Sequence, residues 1–232
     1  MRPVNRGLCP KDADGNEIRF ANYRAARDDL IRRIGDYCSY CKVCLHGPID
    51  VEHVQPKGIQ PALALTWTNF LLSCTTCNSI KQARAINLAD YFWPDRDNTA
   101  LIFDYDLDEP PKISVRLDAT LRPVAERTLA LTGLDRVPGH PSYSGRDRRW
   151  FKRREAWGLA LEARRILERI DNPEMRDQIM QTAISRGFWS VWFQVFHDDQ
   201  DMRSRLLRWF PGTATDCFDH GSLPVTRRGG LI

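Results

Sequence analysis

"CSYCKVC", residues 38 to 44, and its echo "CTTCN", residues 74 to 78, decide how this chain is read. Each supplies a Cys-x-x-Cys pair, Cys38/Cys41 and Cys74/Cys77. Together they give four thiolates of the number and local spacing that tetrahedral zinc takes. The seven cysteines include five between 38 and 77, and the chain opens without an apolar export run, so the clustering favours a metal over disulfides. Cys44 offers a competing pair with Cys41; Cys38/Cys41 is the expected pairing, with Cys44 in place of Cys38 as the alternative. Cys9 and Cys217 read as isolated thiols.

The gap between the two knuckles exceeds the roughly 15 to 20 residues of a simple zinc ribbon, so something is inserted there. The insert contains "VEHVQPKG", residues 51 to 58, which sets a carboxylate directly before one of only five histidines. Glu52, His53, Asn69 and Asn78 lie between or just after the knuckles, with Lys81 one helical turn beyond Asn78. Phosphodiester hydrolysis needs a base for water, a divalent cation for the developing charge and oxygen ligands for that cation. Glu52 and Asn78 offer hard oxygens, and a histidine with a pKa near 6.5 is basic at cellular pH. Neighbours along a strand point to opposite faces, so Glu52 and His53 share one site only where the strand ends, as Pro56 and Gly58 suggest. His46, His140, His197 and His220 fall in no spacing that marks a site.

"CSYC", "VEHVQP", "WTN" and "CTTCNSIK" resemble the zinc-stapled HNH endonucleases. That resemblance implies an α+β fold: a small ββα-metal core, here followed by a mainly α-helical C-terminal region. It implies His53 as general base, Glu52 as the acidic ligand of a catalytic Mg2+ or Mn2+, Asn69 as the residue orienting the base, and Asn78 as the last metal ligand. It also implies metal-dependent cleavage of nucleic acid, DNA above all, leaving a 5′-phosphate. Glu52 departs from the aspartate of many family members by one methylene. Past residue 86, "DYFWPDRDN", "LTGLDR", the Arg-rich Trp helix and "FPGTATDCF" look similar to HNH subunits that accompany an ATPase in Septu-type and some retron bacterial defence systems, which implies an ATPase partner.

Three segments are expected: an N-terminal arm and helix over 1–36, the zinc-stapled core over 37–90, and a helical region over 91–232 for substrate or partner binding. Residues 20 to 35 carry apolar positions at helical spacing and stop at Gly35. "PIDVEHV" and "NFLLSC" read as extended, and "CNSIKQARA" as the start of a helix. "ALIFDY" and "KISVRL" read as short strands. Helical patterns follow at 122–133, at 148–170, between Asn172 and Gly187, and in "FWSVWFQVF" and "DMRSRLLRWF". The chain has 232 residues, 42% apolar and 28% charged, which suits a globular protein with a real core. No apolar run approaches the roughly 20 residues of a membrane helix, so a cytoplasmic protein without a membrane partner is expected.

The net charge of +4 permits a polyanionic partner without requiring one. "RDRRWFKRRE", residues 146 to 155, concentrates the cations; Arg149 and Arg153, with Lys57 and Lys81 near the site, are the candidate nucleic-acid contacts. The bland reading is a solvated helix face opposite an apolar stripe of Trp150, Trp157, Leu161 and Ile170. A zinc-dependent nucleic-acid or protein binding module without catalysis explains the cysteines equally well but leaves Glu52, His53, Asn69 and Asn78 as coincidence. A zinc hydrolase would need an open zinc position, which four thiolates close.

Overall fold

A computed structural model of the chain describes residues 1–47 and 49–232. Among the described residues it is a mixed α/β structure with two small antiparallel sheets and seven α-helices. Pro48, the first residue of the expected extended segment "PIDVEHV", lies outside the described residues.

The amphipathic N-terminal segment forms a 3-10 turn at Tyr23–Ala26 that runs into α1, Arg27–Ile34. Leu30 and Ile34 are buried and the helix ends at Gly35. β1, Asp50–His53, pairs with β2, Phe70–Ser73, in the register Asp50↔Ser73, Glu52↔Leu71, His53↔Phe70. β2 is buried throughout and passes straight into α2, Thr75–Lys81, through Cys74, whose sulfur accepts from the Cys77 N–H. α2 ends at Gln82, which takes a positive φ. This ribbon and helix carry Glu52, His53, Asn78 and Lys81, while Asn69 ends the 3-10 turn Trp67–Asn69 just before β2.

β3, Phe103–Asp104, and β4, Lys112–Ile113, are two-residue remnants of the longer strands expected there. Pro110 and Pro111 precede β4, and each lacks the N–H that a longer ladder would need. The helical half then follows as α3, Arg122–Thr132; α4, Arg149–Leu167; α5, Pro173–Arg186; α6, Trp189–Val195; and α7, Gln200–Trp209. α5 is capped as its sequence predicts: Asn172 Oδ1 accepts from Met175 N at 2.8 Å and Gly187 ends the helix. α4 packs against α5 and α6, and its buried face includes Ala156, Trp157, Ala160 and Leu167. The stripe expected from Trp150 through Leu161 to Ile170 is therefore corrected: Leu161 and Ile170 are exposed. The aromatic run at 188–196 is core, with Trp189 and Trp192 fully buried. No helix among the described residues is long and apolar enough to cross a membrane.

Buried residues from all three expected segments, among them Leu30, Leu71, Phe92, Trp157 and Trp192, belong to one continuous hydrophobic cluster. Two close approaches tie distant parts of the chain together. Arg2 is fully buried and donates to the carbonyls of Ile34 at 2.7 Å, Phe210 at 3.0 Å and Pro211 at 2.7 Å. Gly187 bridges to Val43 in the first knuckle with φ of 74°. A Cβ there would stand 2.5 Å from the Lys42 carbonyl oxygen and 2.6 Å from Cys44 N, so no other residue fits without moving backbone.

Candidate metal centre and adjoining cavity

The first knuckle is a tight hairpin. Cys38 N donates to Val43 O at 3.1 Å, Lys42 N donates to Cys38 O at 3.0 Å, and Lys42 takes a φ of 65° to close the turn. The second knuckle is the junction of β2 and α2. Together they bring the sulfurs of Cys38, Cys41, Cys74 and Cys77 within 4.8 Å of one another. The Cys41 and Cys74 sulfurs are 3.8 Å apart. A tetrahedral ion with Zn–S bonds of about 2.3 Å holds its sulfurs about 3.8 Å apart, so the donor set fits zinc.

The protonation of the cluster points the same way. Burial pushes the Cys41 thiol well above the ordinary range, and its hydrogen bond to Cys38 does the same for Cys77. Against the cost of burial, hydrogen bonds from Cys41, Cys74 and Cys77 pull Cys38 down. Cys41 and Cys77 therefore hold their protons unless a cation replaces them. Two buried basic side chains, Arg149 and Lys42, stand beside the centre. Arg149 donates from Nη1 to Cys77 Sγ at 3.2 Å. Burial, with help from Arg2, pulls the Lys42 ammonium well below its ordinary pKa, against the opposing influence of Cys38, Cys41 and Cys77.

Next to this centre lies a cavity of about 640 Å³ whose lining includes Asp50, Glu52, His53, Lys57, Asn78 and Lys81. Asp50 and Glu52 are two apart on β1 and share a face, while Asn78 and Lys81 are three apart on α2 and share one too. The two faces meet: Asn78 Nδ2 donates to Asp50 Oδ2 at 3.1 Å and Lys81 Nζ lies 2.8 Å from Glu52 Oε1. Glu52 is buried and also accepts from Tyr40 OH at 3.1 Å, which links it to the "CSYC" knuckle. Burial pushes its carboxyl pKa up to about 7, with Lys81 opposing. Its second oxygen, Oε2, is buried with no hydrogen-bond partner among the described residues.

His53 is the last residue of β1, half-buried, and packs edge-on to Phe70 and tilted against Tyr23 with ring centroids 4.9 Å apart. Its Nε2 lies 3.0 Å from the Ala64 carbonyl oxygen. A carbonyl only accepts, so Nε2 carries a proton and the lone pair of the neutral ring is on Nδ1. Desolvation, with help from Lys57 and Lys81, holds the ring pKa below 6.5 against the Ala64 hydrogen bond, so the neutral form dominates at neutral pH.

Several expected roles change. Asn69 makes its hydrogen bonds with the backbone of the loop between β1 and β2 rather than with the histidine ring. Its Oδ1 accepts from Gln55 N at 2.8 Å, and its Nδ2 donates to Gln55 O at 2.9 Å and Leu63 O at 3.2 Å. It therefore fixes the loop that carries the Ala64 carbonyl, and so orients His53 at one remove. Lys81 is buried, with its charge committed to Glu52 and its Nζ donating to His53 O at 2.8 Å, so it presents no free cation to a phosphate. Arg149 and Arg153 are likewise withdrawn from solvent. Arg149 turns inward because the carbonyls of Thr132 and Gly133 that end α3, the Asp147 carboxylate and Cys77 all accept from it. Their neighbours Arg146, Arg148 and Lys152, all exposed, line a second cleft beside Thr75 and Thr76. Lys57 does sit at the cavity, its Nζ 4.2 Å from the centre of the Tyr23 ring. Sequence reasoning misses Asp50, Tyr40 and Tyr23; the alternation of β1, with Asp50 two before Glu52, is the signal that points to the first of them.

Protein-family models, curated proteins and solved structures gave no significant match to the chain.

Proposed function

We propose that the chain is a metal-dependent HNH-type endonuclease that hydrolyses phosphodiester bonds of nucleic acid, DNA above all. The observation that carries this reading is the convergence of a neutral, oriented imidazole with two carboxylates and an amide in one cavity beside a four-thiolate centre. Asp50, Glu52 and Asn78 suit a hard, partly hydrated Mg2+ or Mn2+, since the donor set is oxygen and Glu52 Oε2 is a buried carboxyl oxygen lacking any partner. When bound, that cation would supply charge stabilisation to the phosphate and the leaving 3′ oxygen. His53 takes the proton of the attacking water on Nδ1 while Ala64 holds the other ring nitrogen. As the water oxygen bonds to phosphorus, the bond from phosphorus to the 3′ oxygen breaks, leaving a 5′-phosphate. Lys57, braced on Tyr23, supplies positive charge at the cavity mouth.

The same residues suggest a path for the strand. Thr75 lines both the cavity and the cleft with Arg146, Arg148 and Lys152, so a polyanion leaving His53 crosses the start of α2 onto those cations. The likeness to nuclease subunits of defence systems adds an ATPase as the proposed partner.

The test is cleavage of plasmid, single-stranded DNA and RNA in Mg2+ or Mn2+ by the purified chain, alone and with a candidate ATPase. His53→Ala and the triple variant Arg146→Ala, Arg148→Ala, Lys152→Ala are assayed beside it. His53→Ala is expected to abolish cleavage while leaving binding intact. The triple variant is expected to weaken binding and to flatten its dependence on log salt by about 0.9 for each phosphate that is no longer neutralised. Equal cleavage by wild type and His53→Ala under every condition defeats the nuclease reading.

A further inference from the structure

Cys44 is left out of the four-thiolate centre, yet it is not isolated. The hairpin that presents Cys38 and Cys41 on one side carries Asp36 and Cys44 on the other, because Leu45 N donates to Asp36 O at 2.9 Å and Tyr37 bridges to Cys44. His46 completes the group: a carboxylate oxygen of Asp36, Sγ of Cys44 and a ring nitrogen of His46 all lie within 4.8 Å of one another.

We propose that Asp36, Cys44 and His46 form a second zinc site, with water as the fourth ligand, that fastens the first knuckle to α5. Three features support it. Cys44 Sγ and His46 Nδ1 are 3.8 Å apart, close to the separation of two ligands on one tetrahedral zinc. The other ring nitrogen, Nε2, lies 3.1 Å from the Ser185 carbonyl oxygen, so it carries the proton and Nδ1 faces Cys44 with its lone pair. Zinc-ligating histidines are held in this way, by a carbonyl on the nitrogen that does not touch the metal. Third, Asp36 Oδ1 is buried with no hydrogen-bond partner among the described residues, a lone pair that a Cys44–His46 hydrogen bond by itself leaves unsatisfied.

One thiolate, one imidazole and one carboxylate select zinc over the harder magnesium or calcium. The site does not rest on the nuclease reading, although Cys44 and His46 line the same cleft as Arg146, Arg148 and Lys152. It also has a mechanical consequence, since Ser185 belongs to α5 and the ion would couple the knuckle to the helical half through His46.

The experiment is a metal count on the full chain, dialysed against excess zinc and then freed of unbound metal. Wild type is expected to hold two zinc ions, and Cys44→Ser and His46→Ala one each. His46 is exposed, so that variant keeps its fold, verified by circular dichroism. Cobalt titration gives a second readout: the first equivalent produces the strong charge-transfer absorption of four thiolates, the second a weaker band that is missing in His46→Ala. One zinc in wild type overturns the proposal, and so does a His46→Ala protein that retains two.

Discussion

Replacing Arg149 by methionine separates an inward role from the outward one that its place in a basic run suggests. In the structure its Nη1 and Nη2 donate to Thr132 O at 2.9 Å and Gly133 O at 2.7 Å, while Nε and Nη2 reach Asp147 at 3.0 and 2.7 Å. Both partners of the ion pair are only 7% exposed. Arg149→Met leaves the Asp147 carboxylate buried and unpaired, which costs about 3 to 5 kcal/mol. In a domain of this size each kcal/mol moves the melting temperature by roughly 2 to 4 °C, so the zinc-loaded variant should melt about 6 to 20 °C below wild type. Cys77 is also left without its donor, and removing such an outer partner weakens metal affinity by roughly 10- to 100-fold, readable by chelator competition. Adding Asp147→Asn removes the orphaned charge and should recover part of the stability while keeping the cap on Arg149 N. A variant that melts within about 2 °C of wild type, holds its zinc and is impaired only in nucleic-acid affinity would refute the reasoning.

Two further outcomes follow from the same geometry. Removing zinc should unfold at least residues 36–86, because the four buried sulfurs gathered within 4.8 Å of one another lose the cation that joins them; absence of amide-exchange protection there is the measurement, and a native spectrum in demonstrably zinc-free protein contradicts it. His53 should titrate below 6.5 in the folded chain, because burial disfavours the imidazolium. The sign follows: folded protein binds this proton less readily than unfolded, so the contribution to stability is full above 6.5 and is lost as pH falls through the lower folded value, and the acid limb of the proposed cleavage is expected to shift the same way. An NMR titration of the ring placing its midpoint at or above 6.5 defeats this.

The knuckles are legible in the sequence because a metal's ligands come in local pairs, and the ribbon and helix between them follow from "VEHV", "NFLLSC" and "CTTCN". Tertiary satisfaction of polar groups is not legible in the same way. Periodicity puts Arg149 and Arg153 on a charged helix end but says nothing of the carbonyls of α3 waiting beneath it. Lys81 stands one turn after Asn78 whether it faces phosphate or Glu52; the crossing of α2 over β1 decides for Glu52. The choice between Cys38 and Cys44 turns on a hairpin closed by Lys42 in a positive-φ conformation, a residue type that gives no warning of it. Asp50 is within reach of the sequence, since alternation along four residues sets it beside Glu52.

The buried guanidinium of Arg2 fixes an order of events. Its acceptors at Phe210 and Pro211 are synthesised 208 and 209 residues after it. Until they are made, Arg2 has only the Ile34 carbonyl of its acceptors, whereas both cysteine pairs have already emerged. Zinc capture can therefore precede this clasp, so a metal-bound core can be assembled in the nascent chain before Arg2 is fully bonded.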